Sequence, residues 1–312
     1  MAVNFYNGVN IMKISVIIPA YNCARYIRQT LDLIRTQNFD SREIETIIYL
    51  DGCTDTTADE VAIYAKQYPK FNLRAIRADV NMGPSNARNT AVAAACGEYI
   101  HFMDADDVIN TDFYKSLYDA ATRTDSDVAV SCFIHERWPD DSVVFDQEIV
   151  LGLLQDKMDA THVDTAGYSC RYLIRRAFWE RNHFAFPTDM KYCEDLLLMN
   201  RVVCYSNRLV LVPGAKYLYK FRPNSLLTTH STRKLQNVYY NRARADVYVF
   251  LAQYDLSRGV VTRGRTYWRL FGFIPVVIAR CDKNRTKTWY YLFGIIPFMC
   301  VRNKNVTRQW RL

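Results

Sequence analysis

The sequence predicts an α/β fold in which a mainly parallel sheet carries helices on both faces. Apolar runs typical of buried strands alternate with segments of helical spacing at a nearly regular interval. The predicted strands are 13–20, 44–50, 71–77, a run beginning at Tyr99, and 128–134, and the predicted helices are 25–37, about 54–68, 85–95 and 111–124. Alternation of this kind implies right-handed crossovers between parallel strands.

Polar or acidic turns follow three of these strands, at residues 21–22, 51–52 and 104–106. The carboxyl ends of parallel strands meet at one edge of a sheet, and ligands of open α/β sheets bind at that edge. We therefore expect the three turns to form a single site from distant parts of the sequence.

The most acidic of these turns holds Asp104, Asp106 and Asp107 directly after an apolar run. An unpaired buried carboxylate is costly, so the acids should lie where the strand leaves the sheet. Asp104 and Asp106 can converge on one cation, and oxygen ligands suit Mg²⁺ or Mn²⁺ bound to substrate phosphates. The alternative is a structural turn in which Asp107 caps the next helix.

Beyond about residue 138 the alternation becomes less regular. Glu194 and Asp195 precede a predicted apolar helix at 196–203, which Asp195 could simply cap. Short strands are predicted at 209–212 and 216–220, and a long helix rich in Tyr and Arg at 231–255. His230 precedes this helix, and a lone histidine is often only a surface or core residue.

Composition and charge bound the class of protein. Half of the 312 residues are hydrophobic, which predicts a folded chain, and the nine cysteines show neither pairing nor metal-ligand spacing. They favour a reducing compartment, and no signal peptide is recognised at the N-terminus. The net charge is +8, but residues 257–312 hold twelve Lys and Arg against one acid, so this segment carries +11 and the remainder −3.

The basic C-terminal segment contains an internal repeat. Residues 270–275 (LFGFIP) recur 22 residues later at 292–297 (LFGIIP), each copy preceded by aromatic residues and flanked by Arg and Lys. Apolar stretches too short to span a bilayer, with aromatic and basic borders, favour a membrane interface. The alternative is that they pack on the core as short helices. Nucleic acid is not expected to bind, since no recognised motif accompanies the charge.

Five ordered motifs identify a family resemblance: residues 16–22 (VIIPAYN), 51–55 (DGCTD), 81–89 (NMGPSNARN), 104–107 (DADD) and 194–195 (ED). Over about residues 13–225 the chain resembles glycosyltransferase family 2 enzymes, whose GT-A fold is Rossmann-like. The paired repeat resembles the C-termini of bacterial members that build surface polysaccharides. The resemblance implies inverting, metal-dependent transfer of a sugar from a nucleotide-sugar, with UDP favoured, to a hydroxyl of a glycan or lipid-linked acceptor.

The same resemblance implies roles for particular residues. Asp195 would be the general base and Glu194 would orient groups beside it. The cofactor would be Mn²⁺ or Mg²⁺. The implied metal ligands are Asp104, Asp106 and His230, and the implied nucleotide-sugar contacts are Pro19, Ala20, Tyr21, Asp51, Gly83, Arg88, Asp104 and Ala105.

Two departures from the family pattern leave other interpretations open. Leu50 stands where the family often has a second acid, and Cys53 replaces a serine. A non-catalytic, membrane-associated subunit that binds nucleotide-sugar or glycan is therefore an alternative. A nucleotidyltransferase is less compatible, because it would need a glycine-rich basic loop after the first strand, and residues 19–23 (PAYNC) do not provide one.

The predicted organisation has three parts. Residues 1–12 are an N-terminal extension, and residues 13–230 are the GT-A catalytic domain, with a nucleotide-binding half (13–135) and an acceptor-side half (136–230). Residues 231–312 are predicted to be a helical segment at the membrane interface. We expect the protein to be cytoplasmic and peripheral to the inner face of the plasma membrane, with an anionic membrane surface as a partner.

Overall fold

The computed structural model describes residues 12–221, 233–258, 265–270, 274–281, 287–292 and 296–302. Residues 1–11 of the predicted N-terminal extension (1–12) and the candidate ligand His230 lie outside the described residues. The chain forms two compact units, residues 1–244 and residues 245–312.

The first unit contains one large sheet. Its strands are β1 (Ile14–Ala20), β2 (Ile44–Asp51), β3 (Leu73–Ala78), β4 (Tyr99–Phe102), β5 (Val108–Ile109), β6 (Val128–His135), β7 (Ile149–Leu151), β8 (Tyr172–Arg175) and β9 (Leu209–Tyr219). They are ordered β3-β2-β1-β4-β8-β6-β9-β5, with β7 paired to β9. The predicted strands are confirmed, and the two short strands expected near residues 209–220 form one longer strand.

The helices follow the predicted alternation. They are α1 (Ala24–Arg35), α2 (Thr57–Gln67), α3 (Pro84–Ala93), α4 (Phe113–Arg123), α5 (Leu154–Thr161), α6 (Arg176–Arg181), α7 (Glu194–Tyr205) and α8 (Arg233–Arg258). Helix α1 buries Ile27, Leu31 and Ile34 against the sheet, which is the stripe that its spacing predicts. No helix in the described part of the chain is both long and apolar enough to cross a membrane.

The strand directions divide the sheet into two regions. Strands β3, β2, β1 and β4 are parallel. Strand β8 runs antiparallel to both β4 and β6, and β6 is parallel to β9. The sheet is thus parallel only over its first four strands and mixed beyond them. Because β4 and β6 run in the same direction, the carboxyl ends of β1, β2, β4, β6 and β9 all open on one edge.

Apolar residues on both faces of the central strands hold this edge in place. Ile14, Val16, Ile17 and Ile18 of β1 are fully buried, as expected for a strand covered by helices on both sides. Each fully buried aliphatic side chain contributes about 1.5–3 kcal/mol, so burial of these residues anchors the strand that carries the first turn of the site.

The prediction of a helical segment over 231–312 is wrong beyond α8. Strands β10 (Arg265–Leu270), β11 (Ile274–Cys281), β12 (Lys287–Leu292) and β13 (Ile296–Arg302) form an antiparallel sheet in that order. The repeat corresponds to two hairpins, because Leu270 pairs with Ile274 and Leu292 pairs with Ile296. Aromatic and β-branched residues dominate these segments, and such residues favour strands over helices.

Candidate active site

The turns after β1 and β2 are joined into one surface. The Asn22 side-chain oxygen accepts hydrogen bonds from the backbone N–H groups of Thr54 (2.8 Å) and Asp55 (3.3 Å). The Cys53 thiol donates to the backbone oxygen of Ala20 at 3.3 Å, so the cysteine at the family's serine position supplies a donor to the first turn. Tyr21, at the edge of this surface, is 51% exposed.

Asp51 orders the turn that leads into α3. Its carboxylate is buried and accepts hydrogen bonds from the backbone N–H groups of Met82 and Gly83, each at 2.8 Å. Gly52 has φ +65°, and a Cβ there would lie 2.4 Å from the Asn81 nitrogen, so only glycine permits this close approach. The Asp51-Gly52 pair therefore fixes residues 81–83 beside the turn after β1.

The acids that follow β4 alternate between solvent and the protein interior. Asp104 and Asp106 are half-exposed, whereas Ala105 and Asp107 are buried. The described residues contain no group of three or more His, Cys, Asp or Glu side chains that could hold a metal ion. Two half-exposed carboxylates nevertheless match a Mg²⁺ or Mn²⁺ ion that takes its remaining ligands from water and substrate phosphates.

Asp107 is a positioning residue for this loop. It accepts hydrogen bonds from the Tyr217 hydroxyl and the Lys220 backbone N–H, both at 2.9 Å. The Asp104 backbone N–H donates in turn to the Tyr217 oxygen at 3.3 Å. Burial, and then the charges of Asp104 and Asp106, raise the pKa of Asp107. Asp107 thus ties the acidic loop to β9 and does not cap α4, which begins at Phe113.

Arg88 connects the acidic loop to the start of α7. Its guanidinium donates to the Glu194 carboxylate at 2.7 Å and to the Asp104 carboxylate at 3.0 Å. It also lies 5.2 Å from the Phe186 ring centre. Arg88 and Glu194 are both buried. The arginine therefore holds together three segments that are far apart in sequence.

Asp195 lies beside this ion pair, at the second position of α7. Burial, and then the Glu194 charge, raise its pKa to about 7, while Arg88 opposes the shift. The Leu196 backbone N–H donates to its carboxylate at 2.8 Å. A half-buried carboxylate that titrates near neutral pH can accept a proton from a bound hydroxyl group.

The structure therefore brings most of the sequence-predicted residues to one edge. Pro19, Ala20, Tyr21, Asp51 and Gly83 surround the turns after β1 and β2. Arg88, Asp104, Glu194 and Asp195 form one connected electrostatic group, with Ala105 and Asp106 in the same loop as Asp104. Sequence reasoning missed the roles of Asp107 and Tyr217, whose hydrogen bond joins positions 110 residues apart.

The parallel half-sheet ends in acidic turns at the edge where open α/β sheets bind their ligands, and the carboxylate of Asp195 with its raised pKa belongs to the same electrostatic group. The chain belongs to glycosyltransferase family 2, since the model of that family, "Glycosyl transferase family 2", matches residues 15–181, more than half of the chain. This confirms the family resemblance and the GT-A fold.

Individual relatives agree with this assignment. An uncharacterized glycosyltransferase, EpsJ of Bacillus subtilis, is 29% identical over 220 residues, which cover 68% of this chain and 62% of EpsJ. The poly(ribitol-phosphate) β-N-acetylglucosaminyltransferase TarS of Staphylococcus aureus is 31% identical over 214 residues, covering 67% of this chain and 35% of TarS. The chain thus matches between about a third and three fifths of the length of these relatives.

Solved structures show the same fold. The crystal structure of TarS residues 1–349 has a TM-score of 0.63 with 25% identity, covering 80% of this chain and 67% of that one. The structure of the same fragment in complex with UDP-GlcNAc also gives 0.63 and 25% identity, covering 79% of this chain and 73% of the fragment.

Proposed function

We propose that the protein transfers a sugar, with inversion, from a UDP-sugar to a hydroxyl group of a surface-polysaccharide or lipid-linked acceptor. The observation that carries the proposal is the Arg88 bridge, which brings the acidic loop at the donor edge next to Asp195. Family membership and the UDP-GlcNAc complex of the TarS fragment support the donor class.

The donor nucleotide is proposed to lie against the turns after β1 and β2. Pro19, Ala20 and Tyr21 would line the base and ribose, with Asp51 and Gly83 on the adjoining turn. Asp51 already accepts two backbone N–H groups there. Its first contribution would therefore be to keep this turn in a binding-competent conformation, even where it also contacts the base.

Asp104, Asp106 and His230 are the proposed metal ligands, with Mn²⁺ or Mg²⁺ as cofactor. When bound, such an ion stabilises the negative charge that grows on the departing diphosphate. The protein's own part is to hold the two carboxylates apart from Asp107, whose buried hydrogen bonds direct it towards β9.

Asp195 is the proposed general base. The acceptor oxygen forms a bond to the anomeric carbon while the bond from that carbon to the diphosphate oxygen breaks on the opposite face. The proton of the acceptor hydroxyl passes to the Asp195 carboxylate, and the electron pair of the broken bond leaves with the nucleoside diphosphate. A pKa of about 7 suits this role, because about half of the carboxylate is then ionised at neutral pH and it is still basic enough to take the proton.

Nucleotide binding tests the donor site. We expect calorimetry to show binding of UDP in preference to GDP and dTDP in the presence of Mn²⁺, with affinity about tenfold or more lower in EDTA or in Asp106→Asn. Asp119→Asn is the matched control, because Asp119 is an exposed acid paired with Lys115 on α4 and should leave UDP affinity unchanged. Equal UDP affinity in all these conditions would contradict the metal assignment.

The C-terminal segment is proposed to bind an anionic membrane at the cytoplasmic face. Its +11 charge supports this, since each cationic residue near an anionic leaflet adds roughly 1 kcal/mol. We expect the full chain to co-sediment with vesicles containing phosphatidylglycerol but not with neutral vesicles. Replacing the basic residues of 257–312 by Gln should abolish this binding, and undiminished binding would refute the proposal.

A further inference from the structure

The chain between α6 and α7 leads directly to the proposed catalytic groups. Residues 182–193 contain no helix or strand, and α7 then begins with Glu194 and Asp195. The segment ends at Cys193, whose φ of +61° lies in the left-handed region that residues other than glycine seldom adopt. A backbone in this conformation persists only where its surroundings hold it. The contacts of 182–193 therefore fix the position of the first turn of α7.

Asn89 of α3 holds this segment through both groups of its side-chain amide. The Phe186 backbone N–H donates to Asn89 Oδ1 at 2.8 Å, and Asn89 Nδ2 donates to the Phe186 backbone oxygen at 2.9 Å. Two such bonds need an acceptor and a donor in one short side chain, which asparagine provides. An ion pair from Arg242 also reaches the segment, at Asp189, but both side chains are largely exposed and such pairs contribute little.

Phe186 connects this attachment to Arg88, the residue before Asn89. Its ring is buried, and the ring centre lies 5.2 Å from the Arg88 guanidinium. Phe102 of β4 packs edge-on against the same ring, at 4.9 Å between ring centres. Within the described part of the chain, Arg88 Nε has no hydrogen-bond acceptor. The guanidinium is therefore held by its two carboxylate partners and by the Phe186 ring.

We propose that Asn89 is a positioning residue of the transferase reaction, which holds Phe186 against Arg88 and thereby keeps the start of α7 beside the acidic loop. The inference rests on the proposed function, in which Asp195 must lie within hydrogen-bond reach of the acceptor hydroxyl. Asn89 has no contact with donor or acceptor in that function. It acts through Arg88.

The two bonds of Asn89 should matter for the chemical step and not for donor binding. Without them, residues 182–193 can shift relative to α3, and a displacement of about 1 Å can lower a rate about a hundredfold. The turns that are proposed to bind the nucleotide are held separately, by the hydrogen bonds of Asn22 and Asp51. The expected defect therefore lies in kcat.

The first measurement is amide hydrogen exchange of the full chain in Asn89→Ala and Asn182→Ala. Asn182 is the matched control, because it is also half-buried and its amide donates to a backbone oxygen, that of Phe178, at 2.8 Å. We expect the amides of 188–198 to exchange about tenfold or more faster in Asn89→Ala and at the wild-type rate in Asn182→Ala. This range leaves out the Phe186 amide, which loses its acceptor. Unchanged exchange over 188–198 in Asn89→Ala would overturn the inference.

The second measurement is UDP release from UDP-glucose, UDP-galactose and UDP-N-acetylglucosamine, with UDP affinity measured in the same samples. In Asn89→Ala we expect kcat to fall about ten- to a hundredfold while UDP affinity stays within about twofold. Phe186→Leu keeps the backbone bonds but removes the ring, and should also lower kcat. Asn182→Ala should change neither quantity. Adding Asn89→Ala to Arg88→Ala should lower kcat little further, because both residues act through one group.

These measurements separate the inference from the proposed function. If the wild type releases UDP and Asn89→Ala does so with the same kcat, or loses kcat and UDP affinity by the same factor, the positioning role is wrong while the transferase function stands. Losses that simply multiply in the double variant would also overturn it. If the wild type neither binds UDP nor releases it, the proposed function fails, and the role of Asn89 in that reaction fails with it.

Discussion

Asp195→Asn is expected to reduce kcat by about 10²–10⁴-fold, the usual contribution of a positioned general base. The amide has nearly the same shape as the carboxylate and can still accept the Leu196 N–H, so α7 should keep its start. The amide cannot take the proton of the acceptor hydroxyl. Donor KM and UDP affinity should change little, because the substitution removes a transition-state interaction.

The dependence of kcat/KM on pH is an independent test of Asp195 as the general base. The active form of the base is the carboxylate, and its pKa is raised to about 7, so wild-type kcat/KM should rise as pH increases through 7. The residual activity of Asp195→Asn should lack this rise. Full activity in Asp195→Asn, or an unchanged pH profile, would show that another group accepts the proton.

The raised pKa of Asp195 also predicts that Asp195→Asn, which loses activity, gains stability towards unfolding at high pH. Because the folded-state pKa lies above the ordinary value of 3.8, ionising Asp195 destabilises the folded protein increasingly between pH 4 and pH 7. Asp195→Asn should therefore be more stable than the wild type at pH 8, with the difference vanishing below pH 4. Urea unfolding at several pH values measures this, and a loss of stability at pH 8 would contradict it.

Arg88→Ala is expected to cost about 3–5 kcal/mol of unfolding free energy, the range for breaking a buried ion pair. The substitution leaves Glu194 buried without its 2.7 Å partner and next to Asp195. It also removes the positive charge that lowers the pKa of Asp195. The rise in kcat/KM should then move to higher pH, which a purely structural defect would not produce.

Two further substitutions test this explanation. Glu194→Gln combined with Arg88→Ala should recover part of the lost stability, because the double variant has no unpaired carboxylate at that position. Arg123→Ala is the matched control, since its pair with Glu148 is exposed and should contribute at most about 1 kcal/mol. If the stability losses simply add in the double variant, or if the pH profile of Arg88→Ala does not shift, the ion pairs of Arg88 do not set the pKa of Asp195 in the way proposed.

The parts of the site that could be predicted depend on short stretches of sequence, namely the strand ends and the polar turns that follow them. Strand ends followed by Asp51-Gly52 and by 104–106 predicted one acidic edge, since parallel strands share the direction in which they end. Repetition of the same pattern also predicted the strands and helices of the first half to within a few residues. Ordered motifs then identified the family, and the family model confirms it.

What could not be predicted depends on pairings between distant residues. The Arg88–Glu194 bond joins positions 106 residues apart, and Tyr217 meets Asp107 across 110 residues. Neither pair has a spacing that sequence reasoning could detect. Asp107 also resembles an ordinary helix cap until β9 is placed beside it.

The C-terminal repeat shows a second reason why sequence-based prediction failed, which is that its pattern does not specify secondary structure. Its short apolar stretches with charged and aromatic borders predict elements at a membrane interface, but such borders do not distinguish a helix from a hairpin. The pairing of Leu270 with Ile274, and of Leu292 with Ile296, shows that each copy of the repeat belongs to a hairpin. A strand-favouring composition on both sides of Gly272 and Gly294 was the signal that could have indicated this.

The most direct test of the central claim is the release of nucleoside diphosphate from a panel of UDP-, GDP- and dTDP-sugars by the purified protein. Reactions would contain Mn²⁺, Mg²⁺ or EDTA, with Asp106→Ala and Asp119→Asn in parallel. We predict slow hydrolysis of one UDP-sugar that needs a divalent ion, is lost in Asp106→Ala and is unchanged in Asp119→Asn. Failure to cleave any donor, together with failure to bind any of the three nucleotides, would contradict the assignment of this edge as a glycosyl-transfer site.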